Sequence, residues 1–231
     1  KRNPVSTTTY GTGELINDAL DQGIRKLSIA IGGSATNDGG MGAMSALGIR
    51  FLDKDGNVLT GVGADLAKVV DIDMSGLNPA VKEAQITVMC DVTNPLTGPD
   101  GATYTFGKQK GGTPEILDEL EAGMKNYASV MREKLGIDVE MKAGAGAAGG
   151  LGAALCGFLN ATLKSVIDTV LDLIEFDRLI EGCDLVVTGE GRIDWQSAFG
   201  KVPSGIGERC KAKGIPAIAI VGGMGDGASK I

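Results

Sequence analysis

Glycine constrains this chain more than any other residue type. It supplies 37 of the 231 residues, about twice the usual share of ~7%. The glycines follow no fixed repeat, and several gather in loops after short apolar runs, at positions 32, 33, 39, 40, 189, 191, 222 and 223. Such clusters are typical of strand-to-loop corners in α/β proteins, where the backbone can approach a ligand closely.

The order of apolar runs and helical patterns predicts the fold class. Short β-branched runs predict strands at 26–31, 85–92, 184–188 and 216–221, each followed by a polar or Gly-rich loop. Apolar residues at helical spacing predict helices at 12–22, 41–47, 113–135, 151–163, 166–174 and 204–213. This alternation predicts an α/β protein with a mostly parallel open sheet of the Rossmann or flavodoxin type. We expect residues 1–50 plus 184–231 to form that domain and residues 51–183 to form a second α/β domain.

Composition excludes several classes of function. The chain has no histidine, which excludes Ser-His-Asp and Cys-His catalysis and zinc sites that need imidazole. The four cysteines, at positions 90, 156, 183 and 210, form no CxxC pair, so we expect reduced thiols and a cytoplasmic protein. A net charge of −7 argues against nucleic acid as a main partner, and no apolar run is long enough to suggest a membrane span.

A glycine-rich segment at 144–149 reads GAGAAG and matches the GxGxxG pattern of dinucleotide sites. Residues 138–142 before it are a candidate strand. The acidic residue that such a site needs on a second strand is not evident, because Asp168 and Asp172 fall in a helical run. Two other interpretations stay open: glycines that permit close helix packing, and a helix N-terminus that binds phosphate.

The loop at 32–40 combines flexible backbone with hydroxyl, amide and carboxylate groups at the carboxyl end of a strand. We expect it to bind substrate or phosphate, and the candidate residues are Gly32, Gly33, Ser34, Thr36, Asn37, Asp38, Gly39 and Gly40. The alternative is a connector in which Asn37 and Asp38 only cap the next helix.

The segment at 188–201 carries the richest set of charged groups. Its candidates are Glu190, Arg192, Asp194, Gln196, Ser197 and Lys201. Such a set could bind an anionic substrate and activate a hydroxyl, with Arg192 or Lys201 supplying positive charge and Asp194 or Glu190 acting as the base. The alternative is a solvated cluster of ion pairs.

Two further places have a functional and a simpler interpretation. Asp91 follows a predicted strand and could join a Mg²⁺ site, since Mg²⁺ favours one or two carboxylates plus phosphate oxygens; it could equally cap a turn before Asn94 and Pro95. The stretch 98–113 is long for a loop. Its Lys108 and Lys110 could contact phosphate or simply keep the loop soluble.

Several of these motifs together resemble the type I glycerate kinase family. The motifs are GTGELI at 11–16, IGGSATNDGG at 31–40, CDVTNPL at 90–96, GAGAAGGLGAAL at 144–155 and TGEGRID at 188–194, with QS at 196–197 and GKVP at 200–203. The resemblance spans nearly the whole chain. It implies ATP-dependent, Mg²⁺-assisted phosphorylation of D-glycerate by a two-domain α/β protein with a cleft between the domains.

The resemblance also suggests roles for individual residues. We predict Asp194 as the base that takes the hydroxyl proton, Arg192 as the clamp on the glycerate carboxylate, and Lys201 as charge compensation for the moving phosphoryl group. We expect the 32–40 loop and the 190–201 segment to face one cleft, one binding substrate and the other phosphate, without assigning which.

The sequence also departs from the family in ways that leave other hypotheses open. Members of the family carry further segments before and after the region that matches, so we expect this chain to be a central portion of a kinase. Two alternatives follow: a non-catalytic portion that binds nucleotide or substrate, and a nicotinamide-dependent oxidoreductase built around residues 144–149. Exposed sheet edges in such a portion suggest aggregation or a homodimer.

Overall fold

The structure is a computed structural model that describes residues 2–193, 202–226 and 228. Contacts divide the chain into two compact units, residues 1–163 and 164–231. The described elements form a mixed α/β fold with a small, open, parallel sheet, which confirms the predicted class at that level. None of the described helices is both long enough and apolar enough to cross a membrane.

The first unit is built around a three-stranded sheet in the order β1-β4-β5. Its elements are α1 (Tyr10–Asp21), β1 (Lys26–Ala30), α2 (Met41–Ala46), β2 (Arg50–Leu52), β3 (Asp71–Asp73), β4 (Gln85–Met89), α3 (Ala102–Phe106), α4 (Pro114–Leu135), α5 (Leu151–Leu159) and β5 (Thr162–Lys164). β1 and β4 are parallel, and β2 and β3 form an antiparallel pair.

The long helix α4 begins and ends where the sequence predicts. Thr113 accepts a hydrogen bond from the backbone N–H of Ile116 at 3.4 Å and caps the first turn, with Pro114 at the first helical position. Gly136 ends the helix in the left-handed region, at φ 67°. Four apolar residues at helical spacing along α4 are buried: Leu120, Met124, Tyr127 and Met131.

Aromatic rings join α4, α5 and β2 in the core of this unit. Phe51 packs edge-on against Tyr127 at 5.8 Å and against Phe158 at 5.9 Å between ring centroids. Met41 and Met44 of α2 are fully buried in the same core. This packing fixes α2, and therefore fixes the end of the loop that leads into it.

The second unit contains a pair of parallel strands. Its elements are α6 (Val166–Leu173), α7 (Phe176–Leu179), β6 (Val186–Glu190), α8 (Val202–Lys213) and β7 (Ala217–Val221), with β6 parallel to β7. Arg209 of α8 pairs with Asp172 of α6 at 2.5 Å and with Asp177 of α7 at 3.1 Å. These ion pairs tie the three helices of the unit together.

Three local predictions are wrong. Residues 138–142 form irregular structure and a turn instead of a strand. The chain reverses there, and the N–H of Lys142 donates a hydrogen bond to the carbonyl of Val139. The helix predicted to reach residue 163 ends at Leu159, because Asn160 takes a left-handed conformation at φ 52° and β5 follows. The stretch 98–113 is not a plain loop, since it contains α3 and the 3₁₀ turn Lys108–Lys110.

The described strands pair within each unit. Residues 1–50 pack with the segment that follows them, through β1 with β4 and α2 with α5, whereas β6 pairs with β7. The grouping of residues 1–50 with residues 184–231 in one domain, and of residues 51–183 in a second, stays a prediction.

Candidate functional site

Two of the predicted polar loops follow strands that end at the same edge of the sheet in the first unit. β1 and β4 are parallel and in register from Lys26 with Gln85 to Ala30 with Met89. The loop 32–40 follows β1, and Asp91 follows β4. In open α/β sheets, ligands bind beyond the carboxyl ends of the strands. We call this region, residues 31–36 and 91–94, the β1–β4 edge.

The loop 32–40 consists of two different halves. Gly32 and Gly33 are exposed, and a Cβ atom added to either would meet no atom within 4 Å. Ser34 is half-buried, whereas Asn37 and Asp38 are fully buried. The first half is therefore open to a ligand, and the second half is part of the protein interior.

Asp38 is the centre of the buried half. Its carboxylate accepts hydrogen bonds from the N–H and Oγ1 of Thr9, both at 2.7 Å, and from the N–H groups of Gly40 at 3.1 Å and Gly42 at 3.3 Å. Burial raises the pKa of this carboxyl group, and the four hydrogen bonds act in the opposite direction. Thr9 is the N-cap of α1, and Gly42 lies in the first turn of α2. Asp38 thus joins the N-termini of two helices.

The glycine-rich segment 144–150 packs directly on the buried half of the loop. Gly39 donates a backbone hydrogen bond to the carbonyl of Gly149 at 3.0 Å. A Cβ atom on Gly149 would lie 2.0 Å from the carbonyl oxygen of Thr36, and one on Gly40 would lie 2.4 Å from the Cβ of Ala154. These contacts favour close packing as the role of the glycines at Gly149 and Gly40.

Polar side chains hold the middle of the loop. Thr7 Oγ1 donates to the carbonyl of Ala35 at 3.0 Å, and Lys110 Nζ donates to the carbonyl of Thr36 at 2.7 Å. Asn37 Nδ2 donates to Thr103 Oγ1 at 3.1 Å. The backbone at residues 35–37 is therefore fixed from several elements at once.

The sequence leaves two roles open for Lys110, phosphate contact and loop solubility, and gives no sign that its side chain is buried. Lys110 is only 3% exposed, whereas Lys108 in the same 3₁₀ turn is exposed. Burial lowers the pKa of Lys110 to about 8, and the carboxylate of Asp38 raises it in part. Only the tertiary contact with Thr36, 74 residues away in sequence, distinguishes the two lysines.

Asp91 lies exposed just beyond β4. Within the part of the chain that the structure describes, no three or more carboxylate or thiol side chains form a group that could hold a metal ion by themselves. A Mg²⁺ ion at Asp91 would take its other oxygens from groups such as water and phosphate. The chemistry of a carboxylate at the β1–β4 edge fits such an arrangement, in which phosphate oxygens complete the coordination.

In the second unit, the structure describes only part of the charged segment. Glu190 ends β6, and its Oε1 accepts a hydrogen bond from the N–H of Gly191 at 2.9 Å. Arg192 follows in an exposed position, and Ile193 forms a parallel bridge with Met224. The other predicted residues of this segment lie outside the described residues: Asp194, Gln196, Ser197 and Lys201.

Comparison with known proteins identifies the family. The model of the Glycerate kinase family matches residues 1–231. The chain belongs to the glycerate kinase family. Among its relatives are a glycerate kinase of Bacillus cereus, 50% identical over 97% of this chain, and a glycerate 2-kinase of Escherichia coli, 49% identical over 98%. The family resemblance seen in the sequence is confirmed.

A solved structure supports the glycerate kinase fold. A crystal structure from Salmonella typhimurium LT2, of a protein described as glycerate kinase 2, matches with a TM-score of 0.89 and 44% identity. The match covers 98% of this chain and 63% of that one. This chain spans 59% of the length of the Bacillus cereus and Escherichia coli relatives.

Proposed function

We propose that this chain is part of an enzyme that transfers the γ-phosphoryl group of ATP to a hydroxyl of D-glycerate. The observation that carries the proposal is 49–50% identity, over 97–98% of the chain, to relatives named glycerate kinase and glycerate 2-kinase. The open Gly32–Gly33 backbone at the β1–β4 edge supports it, because phosphoryl transfer depends on backbone and charged groups that position phosphate.

Within this proposal, the two halves of the loop have different tasks. Gly32, Gly33 and Ser34 contact the ligand, and the buried residues Asn37 and Asp38 hold the loop in place. Gly39 and Gly40 allow the close approach of segment 144–150. Thr36 lies between the two halves, because its carbonyl is held by Lys110 whereas Gly32 and Gly33 are exposed.

The chemical step uses the charged segment of the second unit. The glycerate hydroxyl oxygen forms a bond to the γ-phosphorus, and the bond from that phosphorus to the ADP oxygen breaks with its electron pair leaving on ADP. Asp194 takes the hydroxyl proton, and Arg192 pairs with the glycerate carboxylate. Lys201 offsets charge on the moving phosphoryl group, while Glu190, Gln196 and Ser197 complete the binding segment.

Asp91 is the residue that we propose for Mg²⁺, together with phosphate oxygens. Bound there, the ion would neutralise part of the charge on the phosphate oxygens. The cleft between two domains, the homodimer and the cytoplasmic location stay predictions.

An acceptor comparison tests the proposal. ADP release is measured with ATP and Mg²⁺ on the full-length gene product that contains this chain, with D-glycerate or glycerol as the acceptor. Glycerol keeps the hydroxyl groups and lacks the carboxylate, so we expect ADP release with D-glycerate and at least ~100-fold less with glycerol. Equal rates with the two acceptors, or none with D-glycerate, would overturn the proposal.

The same assay on the Arg192→Met variant tests the clamp. We expect that variant to lose most of its preference for D-glycerate over glycerol, because the charge that pairs with the carboxylate is gone. An unchanged preference for D-glycerate over glycerol would show that Arg192 does not bind the carboxylate, and it would leave the proposal of glycerate phosphorylation standing.

A further inference from the structure

Residues 32–34 form the exposed arm of the 32–40 loop, which begins with two exposed glycines. A Cβ atom added at Gly32 or at Gly33 would meet no atom within 4 Å. On one side, the arm is held by the pairing of Ala30 with Met89. On the other side, it is held by the hydrogen bonds to the carbonyls of Ala35 and Thr36. The position of residues 32–34 therefore depends on these two ends.

The anchor on Thr36 is a buried ammonium group. Lys110 Nζ lies 2.7 Å from the Thr36 carbonyl oxygen, and the side chain is 3% exposed. Burying a charged amine is unfavourable unless it is paired and hydrogen-bonded. The Thr36 carbonyl supplies the hydrogen bond, and the nearby carboxylate of Asp38 supplies the opposite charge.

Lys110 is itself held in a rigid place. It ends the 3₁₀ turn Lys108–Lys110, and Gly111 follows in the left-handed region at φ 98°. Arg2 Nη1 donates to the carbonyl of Gln109 at 2.9 Å, and a Cβ atom on Gly111 would lie 2.5 Å from the carbonyl oxygen of Arg2. The turn therefore packs against Arg2 near the start of the described chain. These contacts fix the backbone that carries the Lys110 side chain.

We propose that Lys110 is a positioning residue for the reaction: it holds the Thr36 carbonyl and thereby sets the exposed arm 32–34 against the ligand. This inference rests on the proposed function. It assigns Lys110 no contact with phosphate, which separates it from the usual role of a lysine in a kinase loop.

The neighbouring Lys108 provides a matched control, since it lies in the same turn and is exposed. The test compares Lys110→Met, Lys110→Arg and Lys108→Met in the full-length gene product. kcat and KM for D-glycerate and ATP are measured, together with amide hydrogen exchange of residues 39–42, because the N–H groups of Gly39, Gly40 and Gly42 at this end of the loop are hydrogen-bonded. We expect Lys110→Met to lower kcat/KM at least tenfold and to speed exchange in 39–42 selectively. Lys110→Arg should recover part of the activity, because it keeps a charged donor.

Several results would overturn the assignment. Lys110→Met with wild-type kinetics and wild-type exchange would do so, and so would faster exchange spread evenly over the first unit, because that would indicate a purely structural role. Lys108→Met should behave as wild type. An equal loss of kcat/KM in Lys110→Met and Lys108→Met would overturn the assignment, because it would show that the positive charge of the turn matters and the contact with Thr36 does not. If Lys110→Met does not fold, Lys110→Gln, which keeps a neutral donor, is measured in the same way.

The exchange measurement also separates this inference from the proposed function. If the wild-type protein phosphorylates no glycerate, the proposed function fails. Selectively faster exchange at residues 39–42 in Lys110→Met would then still support the anchoring role, and unchanged exchange there would overturn it.

Discussion

Asp38 shows how one residue can organise two helices. Its buried carboxylate accepts four hydrogen bonds, from the N–H and hydroxyl of Thr9 and from the N–H groups of Gly40 and Gly42. An ionised carboxylate is suited to this place because it only accepts. An amide would turn its NH₂ group toward at least one of these donors.

The Asp38→Asn variant tests this role. We expect the free energy of unfolding to fall by about 2–4 kcal/mol, because buried donors would lose their partner. Urea denaturation measures the change, and Asp55→Asn, at an exposed turn position, should stay within about 0.5 kcal/mol of wild type. Equal free energies of unfolding for the two variants would show that the hydrogen bonds of the Asp38 carboxylate do not stabilise the fold.

The buried ammonium of Lys110 predicts a dependence of stability on pH. Its pKa falls from 10.5 to about 8 on folding, so between these values the unfolded chain binds more protons than the folded chain. Stability from this group is therefore lowest at and below about pH 8 and rises as the pH increases toward 10.5. Relative to Lys110→Met, the wild type should gain on the order of 2 kcal/mol between pH 7 and pH 9.5. Urea denaturation at the two pH values would contradict this if the difference between the proteins stayed constant.

At the residue level, the sequence singles out the 32–40 loop but does not show which contacts each of its residues makes. Asn37 and Asp38 had a capping alternative, and the structure shows Asp38 bonding at the start of α2. Its other partner, Thr9, lies 29 residues away, and the partner of Asn37 lies 66 residues away. Such partners cannot be read from local pattern, because only the tertiary fold brings them together.

At the level of elements, the glycine-rich segment 144–150 packs against the buried half of the 32–40 loop. Gly149 and Gly136 have nearly the same left-handed φ, 68° and 67°. A Cβ atom on Gly149 would lie 2.0 Å from the Thr36 carbonyl oxygen, whereas one on Gly136 would meet nothing within 4 Å. An alanine at either position would therefore cause similar backbone strain, and only the alanine at position 149 would also clash with the Thr36 carbonyl.

This pair provides a matched experiment. Gly136→Ala should lower the free energy of unfolding by about 1 kcal/mol through backbone strain alone. Gly149→Ala should lower it by about 2–4 kcal/mol, because the loop 36–40 must also move. Thermal or urea denaturation of both variants measures the difference, and similar losses in the two proteins would show that the segments do not need this close approach.

Elements with strong end signals were predicted well. α4 has its boundaries at Thr113 and Gly136 because a capping hydroxyl, a proline and a left-handed glycine all act locally. β1 and β4 follow from short apolar runs. The end of α5 was missed, since Asn160 at φ 52° gives a weaker signal than glycine and β5 becomes a strand only by its place beside β4.

At the level of the whole molecule, the second unit has an unusual apolar surface. Val187, Ile218 and Ile220 lie on one face of the β6–β7 pair, because Val187 pairs with Ile218. Their exposed fractions are 55%, 50% and 68% in the described structure. α8 packs on both strands. Parallel sheets are normally covered on both faces, so this face is a candidate for self-association.

The Ile220→Lys variant tests this expectation on the 231-residue chain. Sedimentation velocity over a range of concentrations should show association of the wild-type chain that the variant reduces severalfold, because a charge on the apolar face opposes contact. Ile24→Lys, at an exposed position of the first unit, should leave association unchanged. A monomeric wild type, or the same association in all three proteins, would contradict the expectation.

The most direct test of glycerate phosphorylation is ³¹P NMR of a reaction containing the full-length gene product, ATP, Mg²⁺ and D-glycerate. It observes the destination of the γ-phosphoryl group, which ADP release alone does not show. We predict that the γ-phosphate signal of ATP is replaced by a phosphomonoester signal that requires D-glycerate. Appearance of inorganic phosphate alone, or an unchanged ATP spectrum, would contradict the assignment of this chain to a glycerate-phosphorylating enzyme.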